Sequence, residues 1–282
     1  MDVQTCKQLF LDSVAAGRAE SPRTFLWYRQ RLGRFLDWAV EHHPQHPLSK
    51  HAFNGFVAHL KQRVSSATLR GYVIILRRFG RWLVAEGIAT SNPADDLNTP
   101  RCASRVPKGI SPQEVEALLK AAHNPRDRAM ILMLRETGAR ANELMGLRWK
   151  DVDLEQGVAW VRGKGGKERP VFFRDKAKEA LKLYREQVPH APEDPVWWQL
   201  NLRKPLSYWG LYGVLKRLAK KANVKRYNPH AFRHAFGRDM TRNGCPTLVL
   251  QDLMGHASPE TTRIYARLSY EDLKNLHGQY AP

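Results

Sequence analysis

Hydrophobic residues recur at spacings of three and four through the first 90 residues, which is the pattern of amphipathic helices. Ser21-Pro22 indicates one helix start, because serine caps a helix and proline suits its first turn. A second helix is predicted from about residue 48 to residue 64. A third is predicted after Ser65-Ser66, and it ends at Gly87 ahead of Asn92-Pro93. The two longest apolar stripes are Phe25, Tyr28, Leu32, Phe35, Leu36 and Ala39, and Leu69, Tyr72, Val73, Leu76, Phe79 and Leu83.

A proline-containing stretch separates this helical part from the rest of the chain. Residues 94–110 carry Pro100 and Pro107, several small polar residues and little periodicity, which predicts a linker. Ser111-Pro112-Gln113-Glu114 then has the sequence of a helix capping box. We therefore place a domain boundary near residue 104, with one domain over 1–104 and another over 105–282.

The second part is predicted to be mostly helical, with one β signal. Val158–Val161 and Arg169–Phe173 are two β-prone runs that flank a glycine-rich turn, which predicts a β-hairpin. Lys164 and Lys167 lie in that turn, where backbone amides and cations would suit a phosphate, although the P-loop pattern is missing. The fold class expected for the chain is mainly α with a small antiparallel β-sheet (α+β).

The charge of the chain points to a polyanionic partner. Lys and Arg number 46 against 27 Asp and Glu, a net charge of +19. Both predicted domains share the excess, with 14 basic and 8 acidic residues in 1–104 and 32 and 19 in the rest. No apolar run approaches the roughly 20 residues that span a bilayer, and the N-terminus lacks a signal-peptide pattern. We therefore expect a cytoplasmic nucleic-acid-binding protein. Its three cysteines have no metal-ligand spacing.

Several polar residues have spacings that suit phosphoryl transfer. Arg140 follows Gly138, which is expected to break a helix, and Glu143 lies one turn further on, where it would hold Arg140 in position. His230 and Arg233 are three apart on a predicted helix that starts at Asn228-Pro229, so an acid–base group and a permanent cation share one face. The two remaining candidates are His256, after a glycine turn, and Tyr265, about two turns into a helix predicted from Pro259.

In their order along the chain, these residues resemble the catalytic set of the tyrosine recombinase (phage integrase) family. The matching motifs are Thr-Gly-x-Arg-x-x-Glu-Leu at 137–144, the hairpin lysine Lys164, His-x-x-Arg-His at 230–234, and Leu-x-Gly-His with Thr-Thr-x-x-Tyr across 253–265. The resemblance covers nearly the whole chain and implies a helical core-binding domain followed by a catalytic domain. Phe232 departs from the usual leucine, and Ala235 stands where threonine is common.

The resemblance implies a site-specific recombinase or integrase that cleaves and rejoins DNA without a metal ion or nucleotide cofactor. Tyr265 would be the nucleophile, Arg140 and Arg233 would bind the phosphate, Lys164 would protonate the leaving oxygen, His230 would assist removal of the tyrosine proton, and His256 would donate a hydrogen bond. The expected partners are double-stranded DNA with inverted-repeat core sites and three further copies of the chain in a tetrameric synaptic complex, with no membrane contact and a nucleoid-associated location. A simple Xer-like recombinase fits best.

Other interpretations stay open at this stage. A type IB topoisomerase uses a similar set of residues, a non-enzymatic sequence-specific DNA-binding protein would share the charge, and a metal hydrolase would use His230, His234 and His256. Residues 266–282 carry Leu268, Tyr270, Leu273 and Leu276 at helical spacing, so this tail would dock either on its own domain or on a neighbouring protomer. The DNA target, and the choice between dimer resolution and phage or transposon integration or excision, do not follow from the sequence.

Overall fold

The computed structural model describes residues 2–17, 22–101, 108–201 and 204–255, apart from the side chains of Pro22, Arg23 and Lys164. The chain divides into two compact units, Met1–Ala103 and Ser104–Pro282. Each unit has its own hydrophobic core. Among the described residues, every helix is too short or too polar to cross a lipid bilayer.

The first unit is helical throughout its described secondary structure. Its helices are α1 (Val3–Ala16), α2 (Pro22–His42), α3 (Lys50–Lys61) and α4 (Ser66–Ala85). Asp2, Ser49 and Ser65 cap α1, α3 and α4 by accepting hydrogen bonds from backbone N–H groups of the first turn. The three helices predicted individually are present, and α1 precedes them.

The apolar stripes predicted from the sequence form the core of this unit. On α2, Tyr28, Leu32, Phe35, Leu36 and Ala39 are buried, and the stripe of α4 is buried with them. Aromatic rings make many of the contacts, with ring centroids 4.5 Å apart for Phe35 and Phe53 and 5.2 Å apart for Phe10 and Phe79.

The predicted linker at 94–110 is wrong at both ends. Ala94 and Leu97 are buried in the first core, and Arg77 donates hydrogen bonds to the Leu97 carbonyl at 2.6 Å and to the Thr99 hydroxyl at 3.0 Å. Ile110 is buried in the second core. These residues pack as isolated side chains on irregular backbone, so they produce no periodic signal in the sequence.

The second unit combines helices with a small antiparallel sheet. Its helices are α5 (Pro112–Ala121), α6 (Pro125–Thr137), α7 (Ala141–Met145), α8 (Asp175–Arg185), α9 (Tyr208–Lys221), α10 (Pro229–Arg242) and α11 (Thr247–Met254), and its strands are β1 (Val152–Asp153), β2 (Val158–Arg162) and β3 (Glu168–Phe172). The strands lie in the order β1-β2-β3, with Val161 opposite Arg169 in the hairpin. The predicted α+β fold class is confirmed, and so is the hairpin; β1 was not predicted.

Helix α6 lies at the centre of this unit and is buried on nearly all sides. Met130, Ile131, Met133 and Leu134 are fully buried. Near its start, the buried Asp127 accepts hydrogen bonds from Arg126 at 2.7 Å and from Arg217 of α9 at 2.6 Å. Because a buried carboxylate is stable only with such partners, this network fixes α6, whose other end leads into the candidate active site.

Candidate active site

A glycine turn at the end of α6 places Arg140. Gly138 has a left-handed φ of +59°, and a Cβ atom there would lie 2.4 Å from the Phe236 ring, so the turn requires glycine. Arg140 then caps α7: its backbone N–H donates to Glu143 Oε2 at 2.8 Å, and its Nη1 donates to Glu143 Oε1 at 2.7 Å. The predicted helix break and restart are confirmed. The Arg140 side chain remains 40% exposed.

Helix α10 carries His230 and Arg233. Asn228 caps the helix and Pro229 occupies its first turn, as the sequence predicted. Arg233 is buried, with its Nη1 donating to the Gly138 carbonyl and its Nη2 to the Met254 carbonyl, both at 2.6 Å. His230, one turn earlier, is exposed.

The end of α11 is the point where these arginines converge. Arg140 donates from Nη2 to the Gly255 carbonyl at 2.8 Å, next to the Met254 carbonyl that Arg233 binds. Gly255 itself has a φ of +62°. The structure thus brings Arg140 and Arg233 together on the main chain directly before His256, with Glu143 holding Arg140.

The other predicted site residues are described in part or not at all. Lys164 begins the 3₁₀ turn Lys164–Gly166 at the tip of the hairpin, and its side chain lies outside what the structure describes. His256 and Tyr265 lie outside the described residues, as does Tyr270. The tail at 266–282 also lies there.

Sequence reasoning missed Arg169 of β3. Its Nη2 donates to Glu143 Oε2 at 2.7 Å, and its Nη1 donates to the Leu253 carbonyl at 2.9 Å. Burial lowers the pKa of the Arg169 guanidinium, an effect that the Glu143 carboxylate opposes and Arg140 adds to. The alternation of side chains along the hairpin could have found this residue. Arg169 lies opposite the buried Val161, so its side chain is on the inward face of the sheet.

A cleft of about 610 Å³ lies beside these residues, and its lining includes Arg140, Glu143, Lys167, Arg169 and Gly255. Each guanidinium carries five N–H donors, so Arg140 has donors beyond those that bind Glu143 and Gly255. An arginine with exposed donors in an open cleft suits the oxygens of a phosphate.

Two histidines of α10 lie on the same face. The His230 and His234 ring centroids are 6.5 Å apart. Burial lowers the pKa of His234, and His230 and Arg233 lower it further. Within the described ranges, no group of three or more His, Cys, Asp or Glu side chains is placed to hold a metal ion.

Family models match both units of the chain. The model described as the phage integrase family matches residues 108–272, and the phage integrase N-terminal SAM-like domain matches residues 8–87. The chain belongs to the phage integrase family. The resemblance to tyrosine recombinases inferred from the sequence is confirmed.

Relatives of this phage integrase family member match it over almost its full length. The tyrosine recombinase XerD of Oceanobacillus iheyensis is 30% identical over 94% of both chains, and XerD of Staphylococcus aureus is 29% identical over 99% of both. Among solved structures, the Tn1549 transposon integrase in complex with transposon right end DNA is 19% identical, covers 98% of this chain and 99% of its own, and has a TM-score of 0.75. That structure supports the fold.

Proposed function

We propose that this protein is a site-specific DNA recombinase that cleaves and rejoins strands through a 3′-phosphotyrosyl intermediate. One observation carries the proposal: Arg140, which caps α7, and Arg233 of α10 both bind the main chain at Met254 and Gly255, the residues that lead directly to His256. Family membership and the XerD relatives support the same activity. The DNA-bound integrase of the same fold supports DNA as the partner.

Arg140 and Arg233 act on the charge of the scissile phosphate. In the proposed transition state, negative charge grows on the non-bridging oxygens, and two fixed guanidinium groups stabilise it by electrostatic preorganisation. This is the task that Mg²⁺ performs in many phosphoryl transferases. Glu143 and the backbone carbonyls hold the two arginines before the substrate arrives.

The bond exchange conserves the phosphodiester energy. The Tyr265 hydroxyl attacks the phosphorus, a new P–O(Tyr) bond forms, and the P–O5′ bond breaks. His230 assists removal of the phenol proton, since a free tyrosine has a pKa of about 10. Lys164 protonates the departing 5′-oxygen, and His256 donates a hydrogen bond to the phosphate. The 5′-hydroxyl of a partner strand then reverses the reaction, which completes strand exchange.

The proposed partners follow from this chemistry. Exchange between two sites needs four active subunits on two DNA duplexes, so we propose a tetramer on inverted-repeat core sites. The net charge of +19 supports binding to the phosphate backbone. We propose a cytoplasmic, nucleoid-associated location, because the substrate is DNA.

Substitution of the nucleophile tests the proposal. Tyr265→Phe removes the attacking oxygen, so it should bind a nicked suicide substrate with unchanged affinity and form no covalent adduct, as measured by denaturing gel electrophoresis. Tyr270→Phe is the matched control and should form the adduct at the wild-type rate. An adduct in Tyr265→Phe would contradict the assignment.

An assay with two DNA sites distinguishes a recombinase from the other functions that the sequence left open. The wild-type protein should exchange strands between two marked duplexes. An adduct with relaxation of supercoils and no exchange would identify a type IB topoisomerase. Salt-sensitive binding with no adduct would identify a non-enzymatic DNA-binding protein.

A further inference from the structure

Arg169 is a partly buried cation on β3, so its N–H donors need protein partners. Residues directly opposite each other in an antiparallel pair share a face of the sheet, and Arg169 lies opposite the buried Val161. Its side chain is 13% exposed. A guanidinium at such a site is stable only where its donors are satisfied.

The partners of Arg169 belong to two other elements of the site. One is the Glu143 carboxylate on α7, at 2.7 Å, and the other is the Leu253 carbonyl at the end of α11, at 2.9 Å. A single side chain of the hairpin therefore joins α7 to the segment that leads into His256. Lys164 lies on the same hairpin, five residues earlier.

Glu143 is shared between Arg169 and Arg140. Its Oε1 accepts from Arg140 Nη1 at 2.7 Å, while its Oε2 accepts from the Arg140 backbone at 2.8 Å and from Arg169 at 2.7 Å. The carboxylate is 3% exposed, so water contributes little to its position. Among the side chains that the structure describes, Arg140 would be the charged partner left to Glu143 without Arg169, and the position of the Arg140 guanidinium would change.

Close packing at Gly255 also connects Arg169 to the main chain before His256. A Cβ atom at Gly255 would lie 2.4 Å from Arg169 Nε, so the two residues fit only because residue 255 has no side chain. The Gly255 carbonyl accepts from Arg140 at 2.8 Å. Both arginines thus converge on the three residues that precede His256.

We propose that Arg169 is a positioning residue for strand cleavage, which fixes Glu143 and the Leu253–Gly255 main chain and thereby sets the position of the Arg140 guanidinium in the cleft. The inference rests on the proposed function. Arg169 acts through Glu143 and the Leu253 carbonyl, since its side chain is 13% exposed whereas that of Arg140 is 40% exposed.

The decisive measurement is the single-turnover rate of covalent adduct formation on a nicked suicide substrate, with DNA affinity measured separately. Misplacement of a reacting group by about 1 Å can cost roughly 10²-fold in rate. Arg169→Gln should slow adduct formation by about that factor and leave the dissociation constant for DNA within roughly threefold of wild type. Arg162→Gln, on the same hairpin in an exposed ion pair with Glu168, is the matched control and should cleave normally.

A double-mutant cycle with Glu143→Gln separates positioning from loss of stability. If Arg169 acts through Glu143, the two substitutions together should slow adduct formation much less than the product of their separate effects. Multiplicative effects would overturn the proposal, as would wild-type rates in Arg169→Gln.

The conservative variant Arg169→Lys keeps the test valid if Arg169→Gln fails to fold. An ammonium cannot bind Glu143 and Leu253 with the planar fork of arginine, so this variant should remain folded by circular dichroism and cleave more slowly than wild type. A wild-type rate in Arg169→Lys would overturn the proposal. Absence of any adduct in the wild-type protein would instead overturn the proposed function.

Discussion

At the residue scale, the candidate site holds its two arginines with different kinds of partner. Arg140 shares its charge with Glu143, whereas the Gly138 and Met254 carbonyls that bind Arg233 orient a guanidinium through dipoles. Because burying a cation is costly unless its donors are satisfied, these contacts hold the Arg233 guanidinium in one place.

His234 makes stability depend on pH. Burial and the neighbouring cations lower its pKa in the folded state, whereas the unfolded value is about 6.5. Between the folded pKa and about 6.5 the unfolded chain binds more protons than the folded chain. The stability that neutral His234 contributes is therefore fully present above about pH 6.5 and is lost as the pH falls through the folded pKa.

We therefore expect His234→Gln to flatten the dependence of the free energy of unfolding on pH below about pH 6.5, as measured by urea denaturation at a series of pH values. The exposed His123, in the same unit, provides the control: His123→Gln should retain the wild-type slope. An unchanged slope in His234→Gln would show that another group controls acid stability.

At the scale of elements, the turn between α6 and α7 is the most constrained connection of the site. Gly138 combines a φ of +59° with close contact to the Phe236 ring, and its carbonyl accepts from Arg233. Backbone conformation, packing and a site hydrogen bond therefore depend on one residue without a side chain.

Gly138→Ala should destabilise the protein by about 2–5 kcal/mol, because a left-handed alanine costs about 1–2 kcal/mol and overpacking typically about 1–3 kcal/mol. It should also slow adduct formation, since the carbonyl that orients Arg233 moves. Gly213→Ala is the control: Gly213 lies within α9 with nothing near its Cβ position, so this change should stabilise by about 0.5–1 kcal/mol. Urea denaturation measures both, and a Gly138→Ala protein as stable as wild type would contradict the argument.

At the scale of the whole molecule, the chain has two units with separate hydrophobic cores, and both units carry an excess of basic residues. The two units, Met1–Ala103 and Ser104–Pro282, have distinct clusters of buried residues. The net charge of +19 favours association with the phosphate backbone of DNA. Binding of this kind weakens steeply as the salt concentration rises. Charge alone gives no preference for pairing two duplexes, so the proposed tetramer would depend on protein contacts.

The C-terminal tail is the segment whose sequence suggests such a contact. Tyr270, Leu273 and Leu276 follow one another at spacings of three, so they share one face if the tail is helical. Deletion of residues 270–282 should weaken synapsis of two sites, measured by gel shift with two DNA lengths, more than cleavage of a single site. Equal losses in both assays, or unchanged synapsis, would contradict docking on a neighbouring protomer.

The sequence by itself determined those features that depend on neighbours along the chain. The stripe from Phe25 to Ala39, the capping box of Ser111 and Glu114, the hairpin and the Gly138 break are local, because caps, turns and amphipathic faces are set within one or two helical turns. The motifs from Thr137 to Tyr265 also indicated the family.

Only the tertiary structure decided which distant groups meet. Arg169 and Glu143 are 26 residues apart, and Arg233 binds the Gly138 carbonyl from 95 residues away. Ala94 and Leu97 belong to the first core although their segment has no periodicity. Contacts of this kind depend on the packing of whole elements and on the need of each buried polar group for a partner, which no local pattern in the sequence records.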